Sequence, residues 1–477
     1  MRGISINDRT FGSAQFARIS EEQCRKIHWA SLEILERTGL RLHDEQAVSI
    51  LKKAGALVSG EDRVRIPSGL VEKAFSTAPK RFTLYNRHKL PVMPVEGYRC
   101  FYGTGSDCLN IVDHRTNSYR PAVLRDVRDA AILSDALENI DFVMSFFLPS
   151  DVERHSYDLH QMEVMLNNTT KPIVIVTHDQ NSLEKCVAMA ESVAGGPEAL
   201  RQNPFVTCYI NVTTGLRHNQ EALQKLIYLA GKGLPLLYIP IVSAGLTAPV
   251  TLAGAVASTI AGVLGGLVLS QLVREGTPFV MPAWGARAIN MKTASYAYFT
   301  ADDKGVMAAM AHYFGLPMFD YGGFSDSKIV DQQAGAEAAA SLLYATLNGG
   351  NIIHDLGFLE AGLIGSLVQL ALCNELIDWM RHALGGVEIS EETLALDLID
   401  QKGPDGQFLD DAHTFKHFRK LWTPKLIDQK NYDRWAAEGQ KTLADRTAEK
   451  VEKILAGHKP EHLPSGIRSK IHDIVRA

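Results

Sequence analysis

The stretch NIIHDLGFLE, residues 351–360, runs two isoleucines directly into His354 and Asp355. A histidine and a carboxylate are costly to bury without partners, so an apolar run fit for a buried strand should end there, with both side chains at the edge of a pocket. The same reading collects polar residues at the ends of other short apolar runs: Asp107 after CFYGTG, Ser145 and Asp151 around FVMSFF, and His178 with Asp179 after IVIVTH. Asn211 and Thr213 end FVTCYIN, Ser243 follows LLYIPI, Trp284 and Arg287 follow FVMPAW, and Asp320, Ser325, Asp326 and Lys328 surround MFDYGG. Aromatic rings gather at the same points, among them Phe101, Tyr102, Phe146, Phe147, Tyr209, Tyr238, Trp284, Phe319, Tyr321, Phe324 and Phe358. Any one of them is more simply explained by core packing. As a cluster they suit an organic cation, each good face-on contact contributing roughly 0.5 to 2 kcal/mol.

Other chemistries are less well supported. His178 and His354 invite a metal, but there is no HxH, HExxH or suitably placed cysteine, and hydrogen-bonding roles fit these histidines better. The glycine pairs near 195, 322 and 349 lack the GxGxxG context of a nucleotide site, and no GxSxG elbow is present.

Eight apolar runs, at 100, 142, 173, 205, 236, 279, 318 and 351, alternate with helical stretches such as LRDVRDAAILSDAL, SLEKCVAMAESVAG and QAGAEAAASLLYATLNGG. Eight such βα units predict an α/β fold, a (β/α)8 TIM barrel over residues 96–395, with its active site at the C-terminal strand ends. Residues 1–95 read as an extension packed on the barrel, with one good helix in SEEQCRKIHWASLEILERTG, and 396–477 as a C-terminal helical extension.

With 46% hydrophobic and 22% charged residues and a net charge of −5, the chain has no basic footprint for nucleic acid. The six cysteines are scattered without CxxC spacing, as expected of reduced thiols, and no apolar leader opens the chain, so a cytoplasmic protein is expected. Gly233 to Val273 contains no charged residue. Pro235, Pro240 and Pro249 divide that run, however, so it reads as a buried strand and helix rather than a membrane span. The small residues of LAGAVASTIAGVLGGLVL could alternatively mark a subunit interface, in keeping with a homo-oligomer.

The segments FYGTGSDCLNIVDHRT, NVTTGLRHNQEALQ, IPIVSAGLTAPVTLAGA, GGFSDSKIVDQQAGAEAAASLL and NIIHDLGFLEAGLIGSLVQLALCNELI resemble the trimethylamine methyltransferase family over nearly the full length. The resemblance implies methyl transfer to a corrinoid held on a separate protein, because this chain has no DxHxxG motif and no cofactor of its own. Founding members of the family carry pyrrolysine to activate a tertiary amine, whereas this chain is written in the twenty standard residues. That points to a quaternary amine, with glycine betaine first, and carnitine, proline betaine, γ-butyrobetaine or choline as alternatives. A noncatalytic betaine-binding barrel and a metal-dependent lyase or hydrolase are the rival classes. On this reading Trp284, Phe358 and Tyr102 hold the ammonium, and Arg287, His178, His354 and Asn211 take the carboxylate. Asp107, Asp320 and Asp326 orient those donors, with His354, Asp320 and Asp107 nearest the reaction.

Overall fold

The computed structural model describes residues 15–477 apart from 117, 291, 293–295 and 301–303. Its centre is a curled sheet of parallel strands: β1 (Phe101–Thr104), β2 (Ile173–Ile175), β3 (Val206–Val212), β4 (Leu236–Pro240), β5 (Phe279–Pro282), β6 (Met318–Tyr321) and β7 (Ile352–Leu356). The ladder runs β1-β7-β6-β5-β4-β3-β2. Nearly every residue of these strands is buried, as expected where helices cover one face and side chains fill the other.

Seven of the eight predicted strands therefore form the ladder. The stretch at 142 does not. Phe142 and Val143 contribute single parallel bridges, to Gly103 of β1 and to Ile173 of β2, and so stand between the two edge strands without forming a continuous strand. Phe146, three residues on, has φ +63°, a left-handed conformation that an aromatic residue in a regular strand does not adopt. The expected closed eight-stranded ladder is thus replaced by a curled seven-stranded one with a bridged gap.

The long apolar helix Leu252–Val273 lies inside the fold, with 83% of its most hydrophobic window buried. It packs on the helices Glu21–Glu33, Ser68–Thr77 and Gln220–Lys232. Its glycines serve close approach: a Cβ on Gly262 would lie 2.0 Å from the Gly215 carbonyl oxygen, and one on Gly265 would lie 2.1 Å from Leu40. The small residues thus seat the N-terminal extension on the strands within one chain, rather than meeting a second subunit.

The extension is also joined by hydrogen bonds. Arg41 and Leu42 pair in parallel with Arg217 and His218, just beyond β3. At the other end of the chain, helix Leu443–Gly457 packs on Leu367–Ala383 and Leu124–Ala136, and Ser465–Arg476 packs on Tyr157–Asn168 and Gln180–Ala194. Two small sheets extend the C-terminal rim: Val242–Ala244 beside Ala286–Ala288, and Asn110–Asp113 with Ser118–Pro121, Phe358–Leu359 and Ile364–Gly365.

Candidate functional site

A cavity of about 910 Å³ opens where β3 to β7 end, lined by Tyr209, Asn211, Thr213, Ser243, Trp284, Arg287, Asp326, Lys328 and His354, together with Tyr296, Tyr298 and Glu360. Each strand delivers its inward-facing residue to the lumen and its next polar residues to the rim, which is why side chains far apart in sequence meet here.

On β6 the alternation is plain. Phe319 and Tyr321 face inward, while Asp320 faces out, where a Cβ on Gly350 would meet its own Cβ at 2.8 Å. What Asp320 offers the site is its backbone: its carbonyl oxygen lies 2.7 Å from Nδ1 of His354. The His354 ring stacks on Phe319 (centroids 3.9 Å, planes 25° apart), with Trp284 at 5.1 Å and Tyr209 at 6.3 Å. Burial pushes the His354 pKa below its ordinary value, against the pull of Asp355. A neutral ring with Nδ1–H donating to the Asp320 carbonyl leaves Nε2 an acceptor, so His354 presents an aromatic face and a lone pair rather than a charge.

Asp355 follows with φ +74°, a strained conformation inside β7 where its pairing with β1 shifts register between Ile353 and Leu356. Its carboxylate accepts the Tyr298 hydroxyl at 2.6 Å and lies 3.4 Å from His354 Nε2. Tyr298 is itself held by Asp326, whose carboxylate accepts the backbone N–H groups of Tyr298 and Phe299 at 2.9 to 3.0 Å. The Arg287 guanidinium lies 4.0 Å over the Tyr298 ring and 4.5 Å over Tyr321, and the Lys304 ammonium 3.4 Å over Tyr321. The cavity therefore has two unlike walls. One is Tyr209, Trp284 and the His354–Phe319 stack; the other is a tyrosine platform already covered by the protein's own cations.

The remaining predicted residues stand elsewhere. Tyr102 is fully buried behind β1, its hydroxyl 2.7 Å from Thr346 and its ring 5.2 Å from the Arg381 guanidinium, so it does not reach the cavity. Phe358 packs 5.9 Å from Phe146 and fills the space a Cβ on Gly105 would occupy, which closes its face against β1. Asp107, at φ +65°, accepts from Ser145 at 3.1 Å and Gln161 at 3.2 Å, and burial raises its pKa. His178 Nδ1 lies 2.7 Å from the buried Asp158 carboxylate, and its Nε2 is 3.4 Å from Asp179. These two belong to the rim between β1 and β2, beside the cavity rather than in its wall.

Sequence reading missed Tyr298 and Lys304, which lie in the β5–β6 connection where no strand pattern points to the lumen; the tyrosine-rich SYAYF was the one available signal. Among the described residues, no group of three or more His, Cys, Asp or Glu is arranged to hold a metal ion.

The model of the trimethylamine methyltransferase family matches residues 7–477. The chain belongs to that family. It is similar to the trimethylamine methyltransferase of Desulfitobacterium hafniense, 33% identical over 470 residues that cover 98% of this chain and 94% of that protein. It is 29% identical to the glycine betaine methyltransferase of the same species, with 96% of each chain covered. It is 32% identical to the trimethylamine methyltransferase of Methanosarcina thermophila, with 94% of each covered. Among solved structures, the monomethylamine methyltransferase of Methanosarcina barkeri superposes with a TM-score of 0.47 at 14% identity, covering 96% of this chain and 89% of that one. Its relatives carry the name methyltransferase, and this chain is a methyltransferase of the family.

Proposed function

We propose that this methyltransferase takes one methyl group from a zwitterionic quaternary amine of the glycine betaine type and passes it to the Co(I) corrinoid of a separate protein docked over the cavity. The observation that carries the reading is the pairing, in one cavity, of an uncharged aromatic wall (Tyr209, Trp284 and His354) with the Arg287 guanidinium opposite.

The acceptor supplies the electron pair: the new bond forms to the methyl carbon as the C–N bond breaks, and that bond's electrons stay on nitrogen as a neutral tertiary amine. A quaternary nitrogen leaves without a proton or an electrophile, so none is needed from the chain, which carries only standard side chains. Positive charge disappears from nitrogen as the bond breaks, so a carboxylate gripping the ammonium would favour the substrate over the transition state. Aromatic faces and a neutral His354 hold the cation more weakly and keep that penalty small. Arg287, with Asn211, then receives the substrate carboxylate and fixes which N-methyl group faces outward. Asp326 acts at one remove, holding Tyr298 under Arg287. Asp107 and His178 shape the adjoining rim, and Asp320 serves through its carbonyl.

The cavity volume is at the upper end of the ~300–1,000 Å³ that accepts drug-sized ligands, more than glycine betaine fills, which favours longer zwitterions such as carnitine as a second reading. A cytoplasmic site of action, where a reduced corrinoid persists, belongs to the same proposal.

The test is spectroscopic: a Co(I) corrinoid protein is mixed with the enzyme and glycine betaine, proline betaine, carnitine, choline or tetramethylammonium, and conversion to methyl-Co(III) is followed. Transfer from at least one carboxylate-bearing substrate, at least tenfold faster than from choline, is expected. Transfer from none of the quaternary amines overturns the substrate class.

A further inference from the structure

His354 and Asp355 are consecutive, and on a regular strand their side chains would face opposite sides of the sheet. From Ile353 to Leu356, however, β7 takes three steps while β1 takes two from Tyr102 to Thr104, so β7 holds one extra residue. A bulge of this kind re-aims a side chain, and bulges recur beside active sites. Here it brings the Asp355 carboxylate round to His354, with Oδ1 3.4 Å from Nε2. The backbone takes a left-handed φ of +74°, which Asp tolerates better than most residues. Gly105 makes the room, since a Cβ there would lie 2.5 Å from Oδ1. The carboxylate is only 3% exposed, and a charge is costly to bury, so packing does not account for it.

Asp355 meets both walls of the cavity from behind, because Tyr298 and His354 line it and Asp355 contacts each of them. Tyr298 is pinned at two points: Asp326 accepts its backbone N–H, and Asp355 Oδ2 accepts its hydroxyl at 2.6 Å. Burial and the Asp355 charge keep that phenol protonated, so it donates. The Arg287 guanidinium, 4.0 Å over the ring, is placed by the ring. On the other wall, His354 Nδ1–H donates to the Asp320 carbonyl, so the neutral ring turns its Nε2 lone pair toward Asp355. Two acceptors face each other there, and a second proton on the ring would turn the opposition into an ion pair. The other groups around the ring are Phe319 on β6, Tyr209 on β3, and Trp284 and Arg287 beyond β5. Of these Arg287 is charged, and it opposes a second ring proton.

On the substrate reading given above, we propose that Asp355 is a positioning residue that joins the two walls, fixing the Arg287 platform through Tyr298 and facing the Nε2 edge of His354, without touching the substrate. The spacing between the subsite for the carboxylate and the subsite for the ammonium is thereby set from behind. Held back by the rings, the Asp355 charge is denied a direct ion pair with the ammonium, which would favour the substrate over the transition state.

The test compares Asp355→Asn with Asp326→Asn, whose carboxylate bonds to the Tyr298 and Phe299 backbone, in methyl transfer from the best carboxylate-bearing substrate across the acid range. Asp355→Asn is expected to raise KM about tenfold, as for a hydrogen bond that loses its charged acceptor, with kcat little changed. Because the Asp355 charge favours a protonated His354, the fall in activity on the acid side should also move about one pH unit lower in this variant. Asp326→Asn should raise KM and leave that fall in place. Adding Tyr298→Phe to Asp355→Asn should worsen KM by no more than about twofold, since both act through one contact. An unchanged KM, an acid fall that does not move, or additive losses overturn the proposal. Should Asp355→Asn not fold, Asp355→Gly, which takes the left-handed backbone freely, is judged by the same outcomes. If the wild type demethylates no quaternary amine, the substrate reading fails by itself and Asp355 is judged without substrate. Protonated His354 should quench Trp284, 5.1 Å away, so the emission that Trp284→Phe removes must titrate at lower pH in Asp355→Asn. An equal or higher midpoint, or no such titration in the wild type before it unfolds, overturns the proposal.

Discussion

The two halves of the mouth at the C-terminal strand ends are built from opposite chemistry. At the ends of β3 to β7, rings meet in an open cavity and the histidine among them is stacked, buried and pushed toward its neutral form. At the ends of β1 and β2, the polar groups are turned on one another: Asp107 toward Ser145 and Gln161, Asp158 toward His178. The first half has unspent faces for a ligand, and the second has its hydrogen bonds largely satisfied from within. For a reaction in which a cation becomes neutral, the aromatic half is the one whose chemistry matches, and the polar half supplies rigidity beside it.

The largest expected effect comes from opening the aromatic wall. Trp284→Ala should lower kcat/KM for methyl transfer about thirtyfold, matching the ~2 kcal/mol of a desolvated cation–π contact, while Trp284→Phe keeps most of the activity. An unchanged kcat/KM in the alanine variant would move the ammonium out of this half altogether.

A smaller effect should follow from loosening the platform opposite. Asp326→Asn replaces a carboxylate that holds the Tyr298 and Phe299 N–H groups with an amide able to accept on one oxygen only. A cost of about 1.5 to 3 kcal/mol is expected for hydrogen bonds to a charged group. We expect it chiefly as a tenfold rise in KM for carboxylate-bearing substrates, since Arg287 rests on Tyr298. An equal rise for choline would separate Asp326 from carboxylate recognition.

How far these contrasts were legible in the sequence depended on the element carrying each residue. Asn211 and His354 sit on strands whose apolar runs are strong, and Trp284 lies two residues beyond another, so their place at strand ends brings them to one cavity. Tyr102 and Asp320 also lie on real strands, but neighbouring residues of a strand face opposite sides and the buried runs have no polar alternation to show which. Both side chains face the helices. Tyr298 was invisible because nothing local to a loop encodes where it folds back; Asp326, 28 residues on, decides that. The stretch at 142 reads as a strand on composition, yet its pairing is confined to isolated bridges at Phe142, Val143 and Phe147, interrupted by the left-handed Phe146.

pH distinguishes the halves more finely. Burial lowers the pKa of His354, so the ring is neutral at neutral pH, and activity should fall on the acid side as a charge appears beside the substrate cation. His354→Gln should lose that acidic limb. Stability has to be followed in the same experiment, because buried His218 titrates near 4. Its unfolded form takes up a proton first, so its contribution is complete above pH 6.5 and falls progressively between 6.5 and 4, by about 3 kcal/mol in all. Activity that drops while the folded fraction at the assay temperature stays near one assigns the limb to His354; activity that tracks the folded fraction assigns it to unfolding.

The smallest effect on catalysis should come from the polar half, and it is the sharpest test of the contrast. His178→Ala removes the ring donor from a carboxylate that is wholly buried at the start of helix Tyr157–Asn168. Asp158 keeps the backbone N–H groups of Leu159 and His178 but loses its closest contact. Leaving such a group short of a partner costs about 1 to 3 kcal/mol of stability, so the melting temperature should drop by several degrees, whereas kcat/KM should stay within threefold once the folded fraction is counted. The reverse outcome, activity lost by a hundredfold with the melt unmoved, would mean that His178 reaches the reacting molecule. The substrate would then lie across both halves, with the Asp158–His178 pair part of its binding site.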